Sequence, residues 1–209
     1  MLGDGDERFL QGLHEVLTRY DVPLLGGDTV KGDGRRAWGL TAIGAATHRP
    51  VPSRSGAKPG DIVHITGPVG AAMLGFEALR DAGDAADSTT TLPYRRPHPR
   101  LTEGAELAPY VTAMMDISDG LLLDSWRMAE ASGVTFALDS AAVPVADPNR
   151  RDDCLRWGDD YELLFTASPG AALPAGTLRI GKVMPAGETP LMLDSTAQHH
   201  GDRLGYMHG

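Results

Sequence analysis

Two carboxylates and a hydroxyl lie within four residues in the segment Met115-Asp116-Ile117-Ser118-Asp119-Gly120. An apolar run at 111–115 predicts a buried strand before it, and the periodicity of 121–132 predicts a helix after it that ends at Gly133. Ser118 or Asp119 is expected at the helix N-cap, where a short oxygen-bearing side chain accepts a backbone N–H. A cap leaves Asp116 unexplained, because close carboxylates repel each other unless a cation such as Mg²⁺ lies between them. The segment is therefore either a helix cap or a site for metal and phosphate.

Glycine and aspartate occur together beside an apolar segment at two further places. Gly26-Gly27-Asp28-Thr29 follows Leu24 and Leu25, and its glycines permit positive φ and close approach of the backbone to a ligand. Gly158-Asp159-Asp160-Tyr161-Glu162 is an acidic turn before the apolar run 163–166, which predicts a strand. Taken alone, Asp28 is as consistent with a hairpin corner as with a ligand site, because aspartate is a common turn residue.

The helices and strands that the sequence predicts around these segments indicate an α/β (α+β) protein of two domains. Apolar residues at helical spacing predict an amphipathic helix over 5–20. Strands are predicted at 24–25 and 37–46, paired antiparallel through an exposed connection at 31–36. The proline- and glycine-rich segment 48–61 then predicts a boundary between an N-terminal domain at 1–47 and a C-terminal domain at 48–209.

Helices and strands continue beyond this boundary. Strands are predicted at 61–66, 134–138, 177–183 and 191–193, and helices at 69–82 and 101–108. The segments 81–91 and 93–100 are expected to be exposed loops, with Arg95, Arg96 and Arg100 in solvent, and 146–156 a charged connection. His199 and His200 are not expected to bind a metal, because adjacent side chains on a strand point in opposite directions.

The formal net charge of −9 argues against nucleic-acid binding, which needs a basic face. An acidic protein can still bind nucleotides, because metal ions bridge carboxylates to phosphate oxygens. No apolar run approaches the ~18 residues that span a bilayer, and the acidic N-terminus lacks a signal pattern. A single cysteine, Cys154, cannot form an internal disulfide. We therefore expect a cytoplasmic protein that binds neither nucleic acid nor membrane.

Four segments in this order and spacing resemble thiamine-monophosphate kinase, whose superfamily includes aminoimidazole-ribonucleotide synthetase and selenophosphate synthetase. They are Gly26-Gly27-Asp28-Thr29, the loop Ser53-Arg54-Ser55-Gly56-Ala57-Lys58-Pro59-Gly60-Asp61, the segment 115–121, and Gly158-Asp159-Asp160-Tyr161-Glu162-Leu163. The resemblance extends from about Phe9 to Tyr206. It implies an aminoimidazole-ribonucleotide synthetase-like fold and ATP-dependent phosphorylation of thiamine monophosphate to thiamine diphosphate, with Mg²⁺ ions between two domains.

The resemblance also implies a role for particular residues. Gly27, Asp28, Arg54 and Ser118 are implied to contact ATP. Asp28, Asp116 and Asp119 are implied to ligate Mg²⁺, and Asp159 and Tyr206 to contact thiamine monophosphate. No catalytic base is expected, because the attacking phosphate oxygen is already anionic at neutral pH and catalysis rests on positioning and charge neutralisation.

The chain departs from the family pattern at several places. Members have a further N-terminal segment with additional metal-binding acids. Trp157 replaces a usual glycine, the connection 145–159 is short, and the tail from Gly205 differs. Two alternatives therefore stay open: a truncated, non-catalytic relative that binds a nucleotide or a partner chain, and another enzyme of the superfamily. A homodimer is the state expected from the family.

Overall fold

A computed structural model describes residues 4–30 and 37–206. The chain divides into two compact units, Met1–Gly44 and Ala45–Gly209. The predicted boundary between residues 47 and 48 stays a prediction. The connection at 31–36 lies outside the described residues.

The first unit contains the predicted amphipathic helix, α1 (Asp4–Arg19). The rings of Phe9 on this helix and Trp38 stack with centroids 3.9 Å apart. The strands predicted at 24–25 and 37–46 are wrong, because the structure has neither helix nor strand there. A strand is stabilised by hydrogen bonds to a neighbouring strand, and within the described ranges no strand pairs with these segments. Leu25 and Ile43 are accordingly exposed.

The second unit is built on one mixed sheet of seven strands in the order β2-β4-β1-β5-β3-β6-β7. The pairs are antiparallel except for β3 and β6, which run parallel. The strands are β1 (Ile62–Ile65), β2 (Val111–Asp116), β3 (Val134–Leu138), β4 (Leu163–Ala167), β5 (Leu178–Pro185), β6 (Leu191–Leu193) and β7 (Thr196–Ala197). The predicted α/β (α+β) class is thereby confirmed, and β2, at one edge, ends at Asp116.

Helices of this unit connect the strands and cover the sheet. They are α2 (Ala71–Ala82), α3 (Ser88–Arg95), α4 (Leu101–Leu107), α5 (Leu121–Ser132) and α6 (Arg151–Arg156). The main core lies between α5 and the sheet, where Leu122, Met128, Phe136 and Ile180 are inaccessible to solvent. Burying side chains of this size contributes about 1.5–3 kcal/mol each. This packing fixes the helix relative to the strand end at Asp116.

The structure corrects the prediction that 81–91 and 93–100 are exposed loops. Helix α3 spans Ser88–Arg95, and the Asp87 carboxylate caps it by accepting the Thr90 N–H at 2.9 Å. The helix packs on α2 at Gly75, where an added Cβ would meet the Thr90 carbonyl at 3.0 Å. Arg100 is only 25% exposed and pairs with Glu162, so it is not a solvated side chain.

No helix in the described part of the chain is both long enough and apolar enough to cross a membrane.

Candidate active site

The segment between β2 and α5 is held by a buried carboxylate that follows it in sequence. Asp124, in the first turn of α5, is inaccessible to solvent, and its Oδ2 accepts the N–H groups of Ser118 and Asp119, both at 2.9 Å. Burial raises the pKa of Asp124, while these two N–H groups oppose the rise. The predicted cap at Ser118 or Asp119 is wrong: Gly120 holds the N-cap position, with φ of 112° and no side-chain hydrogen bond.

Asp119 is therefore not used as a cap, and its carboxylate lies beside Arg127. The Arg127 guanidinium donates to Asp119 Oδ2 and, at 3.1 Å, to Asp124 Oδ1. Asp119 is 15% exposed at its side chain. Sequence reasoning missed Asp124 and Arg127. The available signal was an acid in the first turn of an otherwise apolar helix start, since acids are favoured there.

Two distant chain segments approach this loop closely through glycines, Gly158 and Gly205. A side chain at Gly158 would overlap the Ser118 carbonyl, and one at Gly205 would overlap the Asp119 carbonyl. Backbone hydrogen bonds join the same segments. The Asp159 N–H donates to the Ser118 carbonyl at 2.9 Å, and the Tyr206 N–H donates to the Asp119 carbonyl at 2.8 Å. Segments that are far apart in the sequence thus come together because glycine lets the backbones approach closely.

The converging segments enclose a cavity of about 760 Å³. Four of the residues singled out in the sequence line it: Ser118, Asp119, Asp159 and Tyr206. Ser118 and Asp119 come from the segment 115–121, Asp159 from the acidic turn, and Tyr206 from the C-terminal tail. The lining also includes aromatic side chains that the sequence analysis did not assign to a site, namely Phe76, Tyr94, Trp157 and Tyr161.

The acidic turn 158–162 divides its side chains between the cavity and the scaffold. Asp159 and Tyr161 line the cavity, and the Tyr161 hydroxyl donates to Asp159 Oδ1 at 3.2 Å. Both residues have positive φ, 64° and 53°. Such backbone angles are uncommon outside glycine and are held here by the surrounding structure. Burial raises the pKa of the Tyr161 phenol, and the negative charges of Asp159, Asp116 and Asp119 raise it further.

Asp160 and Glu162 serve the scaffold. Asp160 accepts the N–H groups of Gly70 and Ala72, at 2.6 and 3.2 Å, at the start of α2, and burial raises its pKa to about 6. Glu162 accepts both the Thr66 hydroxyl at 2.6 Å and a two-pronged pair from Arg100 at 2.5 and 2.9 Å. These bonds anchor the turn to β1, α2 and α4 and so fix the direction of Asp159.

Asp116 lies at the exposed end of β2, three residues before Asp119. Within 4–30 and 37–206 no group of three or more His, Cys, Asp or Glu side chains is arranged to hold a metal ion. Mg²⁺ typically takes one or two protein carboxylates and completes its shell with phosphate oxygens and water. Asp116 and Asp119 fit that smaller requirement.

Three residues implied in ATP binding, Arg54, Gly27 and Asp28, are not among those that line the cavity. Arg54 belongs to the loop before β1, where its carbonyl accepts the Ser132 hydroxyl at 3.1 Å, at the C-terminal end of α5. Ser118 precedes the other end of this 12-residue helix, about 18 Å away along the axis. Gly27 and Asp28 belong to the first unit, where Asp28 Oδ1 accepts the Thr29 N–H at 2.7 Å. Their ATP contacts stay predictions.

Comparison with known proteins identifies the class. Residues 58–175 match the family model described as AIR synthase related protein, C-terminal domain. The chain is 33% identical to the thiamine-monophosphate kinase of Caulobacter vibrioides over 97% of its own length and 63% of that protein. It is 34% identical to the Escherichia coli K12 enzyme of the same name, over 77% of this chain and 52% of that one.

Among solved structures, AaThiL complexed with AMPPCP and TMP superposes with a TM-score of 0.65 at 28% identity, covering 70% of this chain and 52% of that one. The chain thus spans about half to two thirds of the length of these relatives. It belongs to the thiamine-monophosphate kinase family of AIR synthase related proteins, as the four sequence motifs predicted.

Proposed function

We propose that the chain takes part in ATP-dependent phosphorylation of thiamine monophosphate to thiamine diphosphate. The observation that carries this proposal is the cavity in which Ser118, Asp119, Asp159 and Tyr206 meet. Relatives named thiamine-monophosphate kinase match the chain, and AaThiL binds AMPPCP, an ATP analogue, together with TMP. The proposed ligands are therefore ATP and thiamine monophosphate.

The side chains of the cavity suit a phosphoryl transfer without a general base. The nucleophile is a phosphate oxygen of thiamine monophosphate, which is already ionised, so no residue needs to remove a proton. What opposes reaction is repulsion between two polyanions, and catalysis requires positioning and neutralisation of charge. Ser118 and Asp119 lie immediately before α5, at a helix N-terminus, which favours a bound anion.

Asp116 and Asp119 are the residues of this unit that would hold Mg²⁺, and Asp28 is the further ligand proposed from the first unit. When bound, Mg²⁺ neutralises the phosphate oxygens and lets an acidic site accept a polyphosphate. Arg127, paired with Asp119, limits how much negative charge that carboxylate presents. Asp159 and Tyr206 are proposed to contact the thiamine monophosphate.

The test is an assay of the purified chain with ATP, Mg²⁺ and thiamine monophosphate, with thiamine diphosphate and ADP separated and quantified chromatographically. We expect equimolar formation of the two products that depends on Mg²⁺. Nucleotide binding without any diphosphate product would contradict a kinase activity of this chain and would favour a non-catalytic nucleotide-binding protein. Turnover of a different acceptor only, such as selenide, would assign it to another activity of the superfamily.

A further inference from the structure

Three aromatic side chains from separate elements form one side of the cavity. Phe76 lies on α2, Tyr94 on α3, and Trp157 directly after α6. The Phe76 ring is 5.3 Å from that of Tyr94 at an interplanar angle of 68°, and 5.4 Å from that of Trp157 at 38°. Centroid distances in this range are those of interacting aromatic pairs. We call Phe76, Tyr94 and Trp157 the aromatic wall.

The scaffold holds the aromatic wall in place. Gly75 lets α3 approach α2 so closely that an added Cβ would lie 3.0 Å from Tyr94 Cβ. Trp157 N–H donates to the Asp153 carbonyl at 3.0 Å, which closes α6, and Gly158 then packs against the Ser118 backbone. The backbone of Trp157 is therefore held at the start of the acidic turn, and all three rings are half-buried.

The charged side chain of the cavity lining that has no partner of opposite charge among the described residues is a carboxylate, Asp159. Arg156 also lines the cavity, but its Nε lies 3.0 Å from both oxygens of Asp152, and its Nη1 donates to the carbonyls of Asp202 and Arg203. Asp159 accepts the neutral Tyr161 hydroxyl, and among the described residues no cation pairs with it. The same cavity is thus lined by aromatic rings and by a carboxylate that no cation in the described ranges neutralises.

We propose that the aromatic wall binds a flat, positively charged heteroaromatic ring, and that Trp157 is a specificity-determining residue for it. This inference rests on the proposed function, which supplies a substrate with such a ring, the thiazolium of thiamine monophosphate. A cation over an aromatic face gains about 0.5–2 kcal/mol from the ring quadrupole. Asp159 attracts the same cation, whereas a neutral purine base would gain stacking alone.

The probe that isolates this contact is thiamine itself, which has the cationic ring and no phosphate. Its binding to the full chain is measured by calorimetry without ATP or Mg²⁺. The second probe is its neutral isostere, in which carbon replaces the thiazolium nitrogen. We expect thiamine to bind the wild-type chain about 2- to 30-fold more tightly than the isostere. Equal affinities would overturn the inference, and this comparison needs no variant to fold.

Substitutions then locate the contact. Trp157→Ala is expected to weaken thiamine binding about tenfold, and Trp157→Phe, which keeps an aromatic face, by less than about threefold. Tyr110→Ala is the matched control, because Tyr110 is 45% exposed and lies outside the cavity lining. Near-ultraviolet circular dichroism checks that each variant is folded.

The outcomes separate this inference from the proposed function. If thiamine binding depends on Trp157 but the chain forms no thiamine diphosphate, the inference about the aromatic wall is supported and the kinase proposal is contradicted. Normal phosphorylation, together with unchanged thiamine binding in Trp157→Ala, would support the kinase proposal and overturn the inference about the aromatic wall. Weaker binding of adenosine, with thiamine unaffected, would assign the wall to the nucleotide base and overturn the inference.

Discussion

At the scale of single residues, the two aspartates of the segment 115–120 have different surroundings. Asp116 is exposed at the end of β2, whereas Asp119 is largely buried beside Arg127. Substitution of an exposed carboxylate usually changes stability little, whereas removal of a buried carboxylate that is paired with a cation is destabilising. The proposed metal ligand that can be substituted with little effect on folding is therefore Asp116.

We expect Asp116→Asn to weaken Mg²⁺-dependent ATP binding about tenfold and to leave the free energy of unfolding within about 0.5 kcal/mol of wild type. Calorimetric titration with ATP, with and without Mg²⁺, measures the first quantity, and urea unfolding the second. Glu188→Gln is the control, because Glu188 is an exposed acid in the turn after β5. A large loss of stability would mean that Asp116 has a structural role instead.

Asp124 is expected to behave in the opposite way, because it is buried and accepts three donors from the site loop and Arg127. Asp124→Asn replaces one acceptor oxygen by a donor and removes the charge that faces Arg127. We expect a loss of about 2–4 kcal/mol in the free energy of unfolding, measured by urea titration. Glu130→Gln, at an exposed position on the same helix, should change it by less than about 0.5 kcal/mol. Similar stabilities for the two variants would contradict this assignment.

At the scale of elements, the acidic turn 158–162 joins distant parts of the second unit through Asp160. Burial raises the pKa of this carboxyl to about 6, from an ordinary value near 3.8, although two N–H groups at the start of α2 donate to it. Between these pH values the folded chain holds a proton that the unfolded chain has released. The contribution of Asp160 to the free energy of unfolding therefore falls as the pH rises from about 4 to about 6.

This shift predicts a pH dependence that Asp160→Asn should remove. Relative to the Asn variant, the wild-type chain should lose on the order of 2 kcal/mol of unfolding free energy between pH 4 and pH 7. The Asn variant also loses one backbone hydrogen bond, but that cost is constant with pH. Urea unfolding of both proteins at several pH values gives the difference. Parallel curves would show that Asp160 titrates near its ordinary pKa in the folded chain.

The sequence predicts most elements of the second unit because each has a periodic apolar face. The boundaries of α5 were predicted well, since Gly133 ends it with a φ of 66° and adopts the left-handed conformation that glycine favours. Helix α3 was missed because it is polar and contains Pro93. Its stability comes from the Asp87 cap and from packing on Gly75, and the second of these depends on tertiary contact.

The site could be predicted only as far as its motifs are local. The segments that contain Asp119 and Asp159 were singled out from their own residues, and the resemblance added the predicted substrate contacts of Asp159 and Tyr206. The aromatic wall was not found, because Phe76 and Tyr94 carry no local signal of binding and come together only when α3 packs on α2. The N-cap was assigned wrongly for a related reason: Asp124 reaches back to the loop from within the helix.

At the scale of the whole molecule, the core and the cavity belong to the second unit alone. Every buried residue of the main core lies between Ala57 and Leu204, and the cavity lining lies between Phe76 and Tyr206. The proposed ATP contacts Gly27 and Asp28 belong to the first unit. Folding and ring binding are therefore expected to depend on one part of the chain, and phosphoryl transfer on both.

A chain that begins at residue 45 separates these requirements. We expect it to unfold cooperatively with a thermal midpoint within about 5 °C of the full chain, because its core is complete. It should bind thiamine with unchanged affinity, since the aromatic wall and Asp159 are retained, and should form no thiamine diphosphate, since Asp28 is absent. Scanning calorimetry, thiamine titration and the product assay measure the three properties. Undiminished phosphorylation would exclude Asp28 as a required metal ligand, whereas loss of cooperative unfolding would show that residues 1–44 stabilise the second unit.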